Sequence, residues 1–170
     1  MRTVFILLVS VFCLSASSTV KFTAINRDEL RHEITLLVNE LRKKKNRSQL
    51  RYNDTLKKAA QHHSDYVAKR DKLTHYEGYY KYRSPKDRVK AYGGTNFGTV
   101  GENVLFTTLD YTTYDPAKIK ALAKEAFDLW YKSPGHYKNM VFKDLSYADI
   151  GIAIHYPKKR IYITQVFGEK

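Results

Sequence analysis

Three segments of the 170-residue chain carry side chains that can bind a metal ion or activate a water molecule. They are Leu73-Thr74-His75, Gly101-Glu102-Asn103-Val104 and Trp130-Tyr131-Lys132-Ser133-Pro134-Gly135-His136. Neutral imidazoles together with a carboxylate can hold Zn²⁺ with a fourth position left for water, which the metal then polarises. The segments lie far apart along the chain, so only the fold can bring them together.

The third segment holds its histidine between unusual neighbours. His136 directly follows Pro134-Gly135, a pair that ends a helix. Trp130 precedes it and Phe142 follows it, and both aromatic side chains are expected to be buried in the core. We therefore expect a turn at Pro134-Gly135 that directs His136, with both flanks of the turn fixed in the core.

Capping residues and apolar spacing predict the helices that position these segments. Each predicted helix begins at a residue whose side chain accepts hydrogen bonds from the first turn, and two of them have proline at the first helical position. Apolar residues then recur at helical spacing in the three long helices. The predicted starts are Asn26, Asn53-Asp54, Ser84-Pro85 (a short helix through Ala91) and Asp115-Pro116.

Alternating patterns predict the strands. Gly101 to Thr107 is expected to form a short strand that carries Glu102. Isoleucines alternate with small or polar residues over 150–154 and 161–166, and Pro157-Lys158-Lys159 lies between the two stretches. This pattern is typical of a β-hairpin, so we expect two antiparallel strands beside the strand near Glu102. The order of helices and strands favours an α+β fold over a parallel βαβ arrangement.

The N-terminus indicates export. Arg2 precedes the apolar run Val4 to Leu14, and Ser15-Ala16-Ser17 offers small residues for cleavage. We interpret residues 1–17 as a signal peptide and residues 18–170 as one domain, secreted or periplasmic, with no transmembrane anchor after the signal is removed. Cys13, the only cysteine, lies in the signal, so the mature chain is expected to contain neither a disulfide nor a cysteine-bound metal.

The charge is strongly positive, with 30 Lys and Arg against 17 Asp and Glu, a formal net charge of +13. A solvated basic surface is the simplest interpretation. Anionic envelope polymers or lipid headgroups are the partners that such a charge would attract. Nucleic acid ranks last, because export removes the protein from it.

In this order the three segments and the Gly151-bearing hairpin resemble the CAP superfamily: the cysteine-rich secretory proteins, antigen 5 and the pathogenesis-related proteins of plants. The resemblance extends over about residues 28–168 and depends on the pair of motifs "GEN" and "GH". It implies an α-β-α sandwich with a small antiparallel sheet between helices.

The resemblance also implies a cleft lined by two histidines and two glutamates. His75, Glu102 and His136 match three of these four residues, and Ser133 occupies the position of the second glutamate. The "SPGH" sequence is similar to the bacterial branch of the family, which commonly lacks that acid. The implied metal ligands are His75, Glu102 and His136, and two imidazoles favour Zn²⁺ over Mg²⁺.

Three functions remain open from the sequence. The first is a secreted binding module whose cleft holds a metal or a small ligand. The alternative is a metal-assisted or glutamate-dependent hydrolase of cell-envelope material, although glycosidases ordinarily need two carboxylates and Ser133 removes the expected second one. The third is a cationic interaction module in which the cleft residues form a purely structural hydrogen-bonded network. Whether the protein is an enzyme stays open.

Other polar residues are expected to have structural roles. His63 lies on an alanine-rich helical face and is expected in the core, whereas His32, His62 and His155 are expected to be exposed. Arg88 is expected to hold the tyrosine-rich segment by donating to carbonyl groups.

Overall fold

The computed structural model describes residues 25–170. The expected signal peptide (residues 1–17) and Cys13 lie outside this part of the chain. Within it, single-turn 3-10 helices at Tyr80–Tyr82 and Tyr156–Lys158 accompany the regular elements. The helices are α1 (Arg27–Lys44), α2 (Asp54–Arg70), α3 (Pro85–Ala91), α4 (Pro116–Lys132) and α5 (Pro134–Val141), and the strands are β1 (Val100–Thr108), β2 (Tyr147–His155) and β3 (Arg160–Gly168).

The three strands form one antiparallel sheet with the order β1-β3-β2. Strand β3 lies in the centre, with Val166 opposite Glu102 on one side and opposite Asp149 on the other. The predicted hairpin and its pairing beside the strand of Glu102 are therefore confirmed. Each strand extends a few residues beyond the predicted bounds.

Helices cover both faces of the sheet. Leu105 and Ile163 face the layer formed by α1, α4 and α5, where they share a core with Trp130. Val104 and Tyr162 point the opposite way and pack with residues of α2. This arrangement is the α-β-α sandwich of an α+β fold, as the sequence predicted.

All four predicted helix caps form. The side chains of Asn26, Asn53 and Asp115 each accept a hydrogen bond from a backbone N–H in the first turn. Ser84 forms a reciprocal capping box with Asp87 at the start of α3. Each such cap stabilises its helix by about 1 kcal/mol.

Helix α2 lies unusually close to strand β2. A Cβ atom placed on Gly151 would lie 2.2 Å from the carbonyl carbon of Ala60, so a larger residue cannot fit without moving the backbone. The small alanines of α2 and the glycine on the strand together allow this approach.

The segment that carries His136 differs from the prediction. Pro134-Gly135 does not form a turn between two irregular stretches but begins helix α5, because proline at the first helical position fits the helix without needing its missing N–H. Ser133 is the single residue between α4 and α5. Trp130 is fully buried as predicted, but Phe142 is 37% exposed, so the second flank is anchored by buried Met140 instead.

A buried arginine holds the chain that follows α5. Arg42 belongs to the basic run at the end of α1, which looks like a solvated surface in the sequence, yet its side chain is fully buried. Burial, and then the charge of Arg47, lower the pKa of Arg42. Its guanidinium donates to the carbonyls of Ser48, Met140, Phe142 and Leu145 at 2.7–3.0 Å.

Over residues 25–170, every helix is too short or too polar to cross a membrane.

Candidate functional site

The site is built around Glu102, near the beginning of the edge strand β1. Its side chain is only 1% exposed and points toward α2 and α3. Oε2 accepts a hydrogen bond from Nη2 of Arg88 at 2.5 Å, and Oε1 accepts one from Nδ1 of His75 at 2.9 Å. Both carboxylate oxygens therefore already have partners within the protein.

Arg88 comes from α3 and is completely buried. Besides its ion pair with Glu102, it donates to the carbonyls of His75, Tyr82 and Arg83 at 3.0–3.4 Å. One side chain thus fixes both the carboxylate and the loop between α2 and α3. The prediction that Arg88 holds this loop through its carbonyls is confirmed, and its contact with the carboxylate adds a second role.

His75 lies at the surface end of this network, with 45% of its side chain exposed. A carboxylate can only accept hydrogen bonds, so Nδ1 of His75 must donate to Glu102. In the neutral ring, Nε2 then carries the lone pair and is the atom available to a ligand. Glu102 therefore fixes both the orientation and the tautomer of His75.

His136 lies in the first turn of α5. Burial, and then the charge of His75, lower the pKa of His136, which favours its neutral imidazole. Asn103 donates to the carbonyl of His136, and Asn139 donates to the carbonyl of Glu102 and to the side chain of Asn103, at 2.9–3.1 Å. These bonds fasten α5 to the edge of β1. Both partners of Asn139 lie on β1.

Sequence reasoning missed a second buried carboxylate. Glu77 accepts hydrogen bonds from His63 at 2.8 Å and from His62 at 3.0 Å, and Arg88 lies 3.4 Å away. Burial raises the pKa of Glu77, but the bond from His63 and the charges of Arg88, His62 and His63 outweigh burial, so the net shift is downward. The prediction that His62 is exposed is wrong, because it lies between Glu77 and Tyr92.

His63 connects the two carboxylates. It is fully buried, as predicted. Its Nδ1 faces Glu77, its Nε2 faces the carbonyl of Thr74 at 2.7 Å, and Nε2 also lies 3.6 Å from Glu102. Both ring nitrogens thus face oxygens of other residues, and the ring lies between the two buried carboxylates.

Ser133 is half-buried at the junction of α4 and α5, where its carbonyl accepts from the N–H of Tyr137. Its hydroxyl does not cap the helix that follows. Over residues 25–170, no group of three or more His, Cys, Asp or Glu side chains is arranged to hold a metal ion. The donors of the expected cleft are the imidazoles of His75 and His136, and Glu102 lies behind His75.

The comparison of sequences matches residues 36–167 to the model of the CAP family, described as the cysteine-rich secretory protein family. No curated protein sequence matches the chain significantly.

Solved structures with the same fold include bacterial proteins. An outer surface protein of Borrelia burgdorferi is 19% identical with a TM-score of 0.71, and the match covers 86% of this chain and 96% of that one. An extracellular protein of Bacillus anthracis that contains an SCP domain is 21% identical with a TM-score of 0.64. That match covers 84% of this chain but only 41% of the Bacillus protein.

Proposed function

The chain belongs to the CAP family of cysteine-rich secretory proteins, and on that premise we propose that it is an extracellular binding module whose cleft, formed by His75, Glu102 and His136, holds a small ligand or a divalent transition metal. The proposal of an extracellular location agrees with the names of the two bacterial proteins that share its fold. The signal peptide expected at residues 1–17 would provide the route of export.

One observation carries this proposal: a buried ion pair supports an exposed imidazole. The side chain of Glu102 is 1% exposed, that of Arg88 is fully buried, and His75 emerges from this pair to the surface. Burying a charged pair solely to stabilise a fold brings little net gain, since apolar residues of similar volume would serve as well or better. A function for the oriented imidazole accounts for it.

The donor set fits a metal held by two imidazoles better than one held directly by Glu102. Because Arg88 and His75 occupy both oxygens of Glu102, this carboxylate acts behind the ligand His75 and orients its ring. Such orienting partners typically raise metal affinity 10- to 100-fold. Two imidazoles favour Zn²⁺ over Mg²⁺. Bound zinc would offer an open coordination position to a ligand.

The hydrolase alternative gains no support from the site. Glycosidases use two carboxylates placed on either side of the substrate. Ser133 stands at the position of the expected second acid, and Glu77, the other buried carboxylate near Glu102, is 3% exposed and faces Arg88 and two histidines. Neither carboxylate has a free oxygen directed at the cleft.

Calorimetric titration with ZnCl₂ at pH 7.5 tests the proposal. We expect about one equivalent to bind wild type, and His75→Ala and His136→Ala each to weaken binding at least tenfold. Glu102→Gln should weaken binding 10- to 100-fold, the usual range for an orienting group. His32→Ala, which removes an exposed histidine hydrogen-bonded to Tyr52, is the matched control and should change nothing.

Acidification provides a second readout, since imidazoles must be neutral to coordinate. Zinc affinity should therefore fall as the pH decreases below about 6.5. The lowered pKa of His136 keeps this ligand neutral to a more acidic pH than an ordinary histidine. Equal affinity in wild type and His136→Ala, or affinity that does not change with pH, would show that the metal binds elsewhere and would contradict the proposal.

A further inference from the structure

A group of exposed tyrosines lies beside the cleft. Tyr76, Tyr79 and Tyr80 are 65%, 57% and 71% exposed, and all belong to the loop between α2 and α3. Tyrosine normally buries most of its ring, so three such rings within five residues require an explanation. Contiguous exposed aromatic surface often marks a binding site.

The loop that presents these rings is rigid rather than extended into solvent. The N–H of Glu77 donates to the carbonyl of Arg83 and closes the loop. Tyr82 packs against the ring of His62 at a centroid distance of 4.2 Å, and Tyr79 lies 6.0 Å from Tyr82. Together with the bonds from Arg88 described above, these contacts hold the loop and the ring of Tyr79 in place before any partner binds. A preorganised surface loses less conformational entropy on binding.

The charge exposed around this loop is positive. All three acidic side chains of the segment 69–90 form ion pairs or hydrogen bonds within the protein. Asp71 pairs with Lys158 and Arg160 and accepts from Tyr162. Glu77 contacts Arg88 and two histidines, and Asp87 accepts from Ser84 at the cap of α3. Over residues 25–170, Lys81, Arg83 and Lys90 have no carboxylate within ion-pair distance. The exposed cations of the segment are Lys69, Arg70, Lys72, Lys81, Arg83, Lys86 and Lys90.

The ring of Tyr80 and two of these cations meet in one shallow depression of about 320 Å³. Its lining includes Tyr80, Lys81 and Lys90, together with Ala91 and Asp87. The carboxylate of Asp87 accepts from both the N–H and the hydroxyl of Ser84, which directs it toward the helix cap. The two lysines are therefore the groups that can meet an incoming anion.

From this arrangement we infer that the tyrosine–lysine surface, defined here as Tyr76, Tyr79, Tyr80, Lys81 and Lys90, binds a sulfated polysaccharide. The apolar face of a sugar ring packs on an aromatic ring, and sulfate groups pair with ammonium groups. The inference specifies the site and the kind of anionic polymer that the net charge attracts, and it does not depend on ligand binding by the cleft.

The observations favour a glycan over a lipid surface or a nucleic acid. The exposed apolar side chains of this loop are three tyrosines, whose hydroxyls suit a wet polar partner, and Leu73, which is 40% exposed. One aliphatic side chain provides little area for insertion into hydrocarbon. Stacked rings with cations also suit single-stranded nucleic acid, but the extracellular relatives of this chain favour the glycan. Both alternatives are included in the test.

The experiment measures heparin binding by the mature protein in fluorescence titrations at several salt concentrations. We expect Lys81→Glu/Lys90→Glu to weaken binding at least tenfold. The matched control Lys58→Glu/Lys143→Glu makes the same change in net charge at exposed lysines outside the surface and should weaken binding no more than twofold. Equal losses in the two double variants would show that the overall charge alone attracts the polymer, and would overturn the inference.

The tyrosine contribution is separated through the salt dependence. A cation that pairs with a polyanion releases counterions, so the lysine variant should show a shallower dependence of affinity on salt. Tyr80→Ala should weaken binding three- to tenfold without changing this slope, whereas Tyr111→Ala, at a tyrosine that is 50% exposed elsewhere, should have no effect. Unchanged binding by Tyr80→Ala would refute the stacking role.

Further controls distinguish partners and sites. Neutral dextran should not bind, and anionic phosphatidylserine vesicles and single-stranded oligothymidylate should bind more weakly than heparin at equal salt. Tighter binding of either one, or no heparin binding, would overturn the inference. His136→Ala should keep full heparin binding while it loses zinc, so failure of the cleft proposal and failure of this one give different results.

Discussion

Replacement of Arg88 by methionine tests the physical basis of the site most directly. The change removes the guanidinium that pairs with both Glu102 and Glu77, whose side chains are 1% and 3% exposed. It also removes the donor to the carbonyls of His75, Tyr82 and Arg83. Methionine has a similar length, so the main effect is the loss of charge and hydrogen bonds rather than a cavity.

The expected magnitude follows from these contacts. Breaking a buried ion pair by removing one partner costs about 3–5 kcal/mol, because the other charge stays buried without compensation. The freed carbonyls add roughly 1 kcal/mol where water cannot reach them. We therefore expect the free energy of unfolding to fall by about 4–6 kcal/mol, a large part of the roughly 5–15 kcal/mol that stabilises an ordinary domain.

Urea denaturation followed by circular dichroism measures this change, with Arg83→Met as the matched control at an exposed arginine, where we expect a change within about 0.5 kcal/mol. If Arg88→Met fails to fold, the double variant Arg88→Met/Glu102→Gln still tests the reasoning. Replacing the unpaired Glu102 carboxylate by a neutral amide should recover part of the lost free energy of unfolding. A loss below about 1 kcal/mol in Arg88→Met, or a double variant less stable than the single one, would refute the reasoning.

Two further stability predictions follow from burial and from the pKa shifts. Trp130→Ala removes a fully buried anchor next to the helix of His136 and should lower the free energy of unfolding by roughly 3–5 kcal/mol. Leu129→Ala, at the neighbouring position that is 44% exposed, should cost little. Similar thermal shifts for the two variants would contradict the anchoring role of Trp130. Stability should also fall on acidification in two steps. The folded pKa of His136 is lowered, so the folded state loses stability as the pH falls below the unfolded value of about 6.5. The folded pKa of Glu77 is also lowered, so its contribution is lost as the pH falls from about 4.3 through that lower pKa. The first step should disappear in His136→Gln when unfolding is measured across pH 3–8.

The sequence predicts much of this fold because its signals are local. A cap such as Asn26 or Asp115 is decided within one helical turn, since the side chain bonds an N–H three residues away. The alternation in β2 and β3 is likewise visible over a few residues, and it places Ile152 and Ile163 opposite each other on the same core. These elements matched the predictions within a few residues.

The features that the sequence did not reveal depend on distant partners. Arg42 looks like one cation of a surface run, yet three of its four carbonyl acceptors lie 98–103 residues later, beyond the reach of any local pattern. Glu77 lies in a loop without periodicity, and only the fold places it against His63 and Arg88. The Pro134-Gly135 pair fits both a turn and a helix start, and tertiary packing selects the helix.

The pairing of His75 with Glu102 was predicted correctly, although no local signal in the sequence indicated it. Neither spacing nor composition relates His75 to Glu102, and the resemblance to a family supplied the pairing that the structure then shows at 2.9 Å. The resemblance did not indicate the partner of the second carboxylate oxygen of Glu102. That oxygen accepts a hydrogen bond from Arg88, so our proposal assigns the carboxylate a supporting role behind His75 instead of the expected role of a ligand.

Arg88 also explains why two different surfaces occur next to each other. Its guanidinium orients Glu102, and through it His75, while its bonds to the carbonyls of Tyr82 and Arg83 shape the loop that carries the tyrosines. The cleft and the tyrosine–lysine surface therefore share one buried support but no proposed ligand-binding residue. For this reason a change at His136 or at Lys81 should affect one surface only, whereas the loss of Arg88 should disturb both.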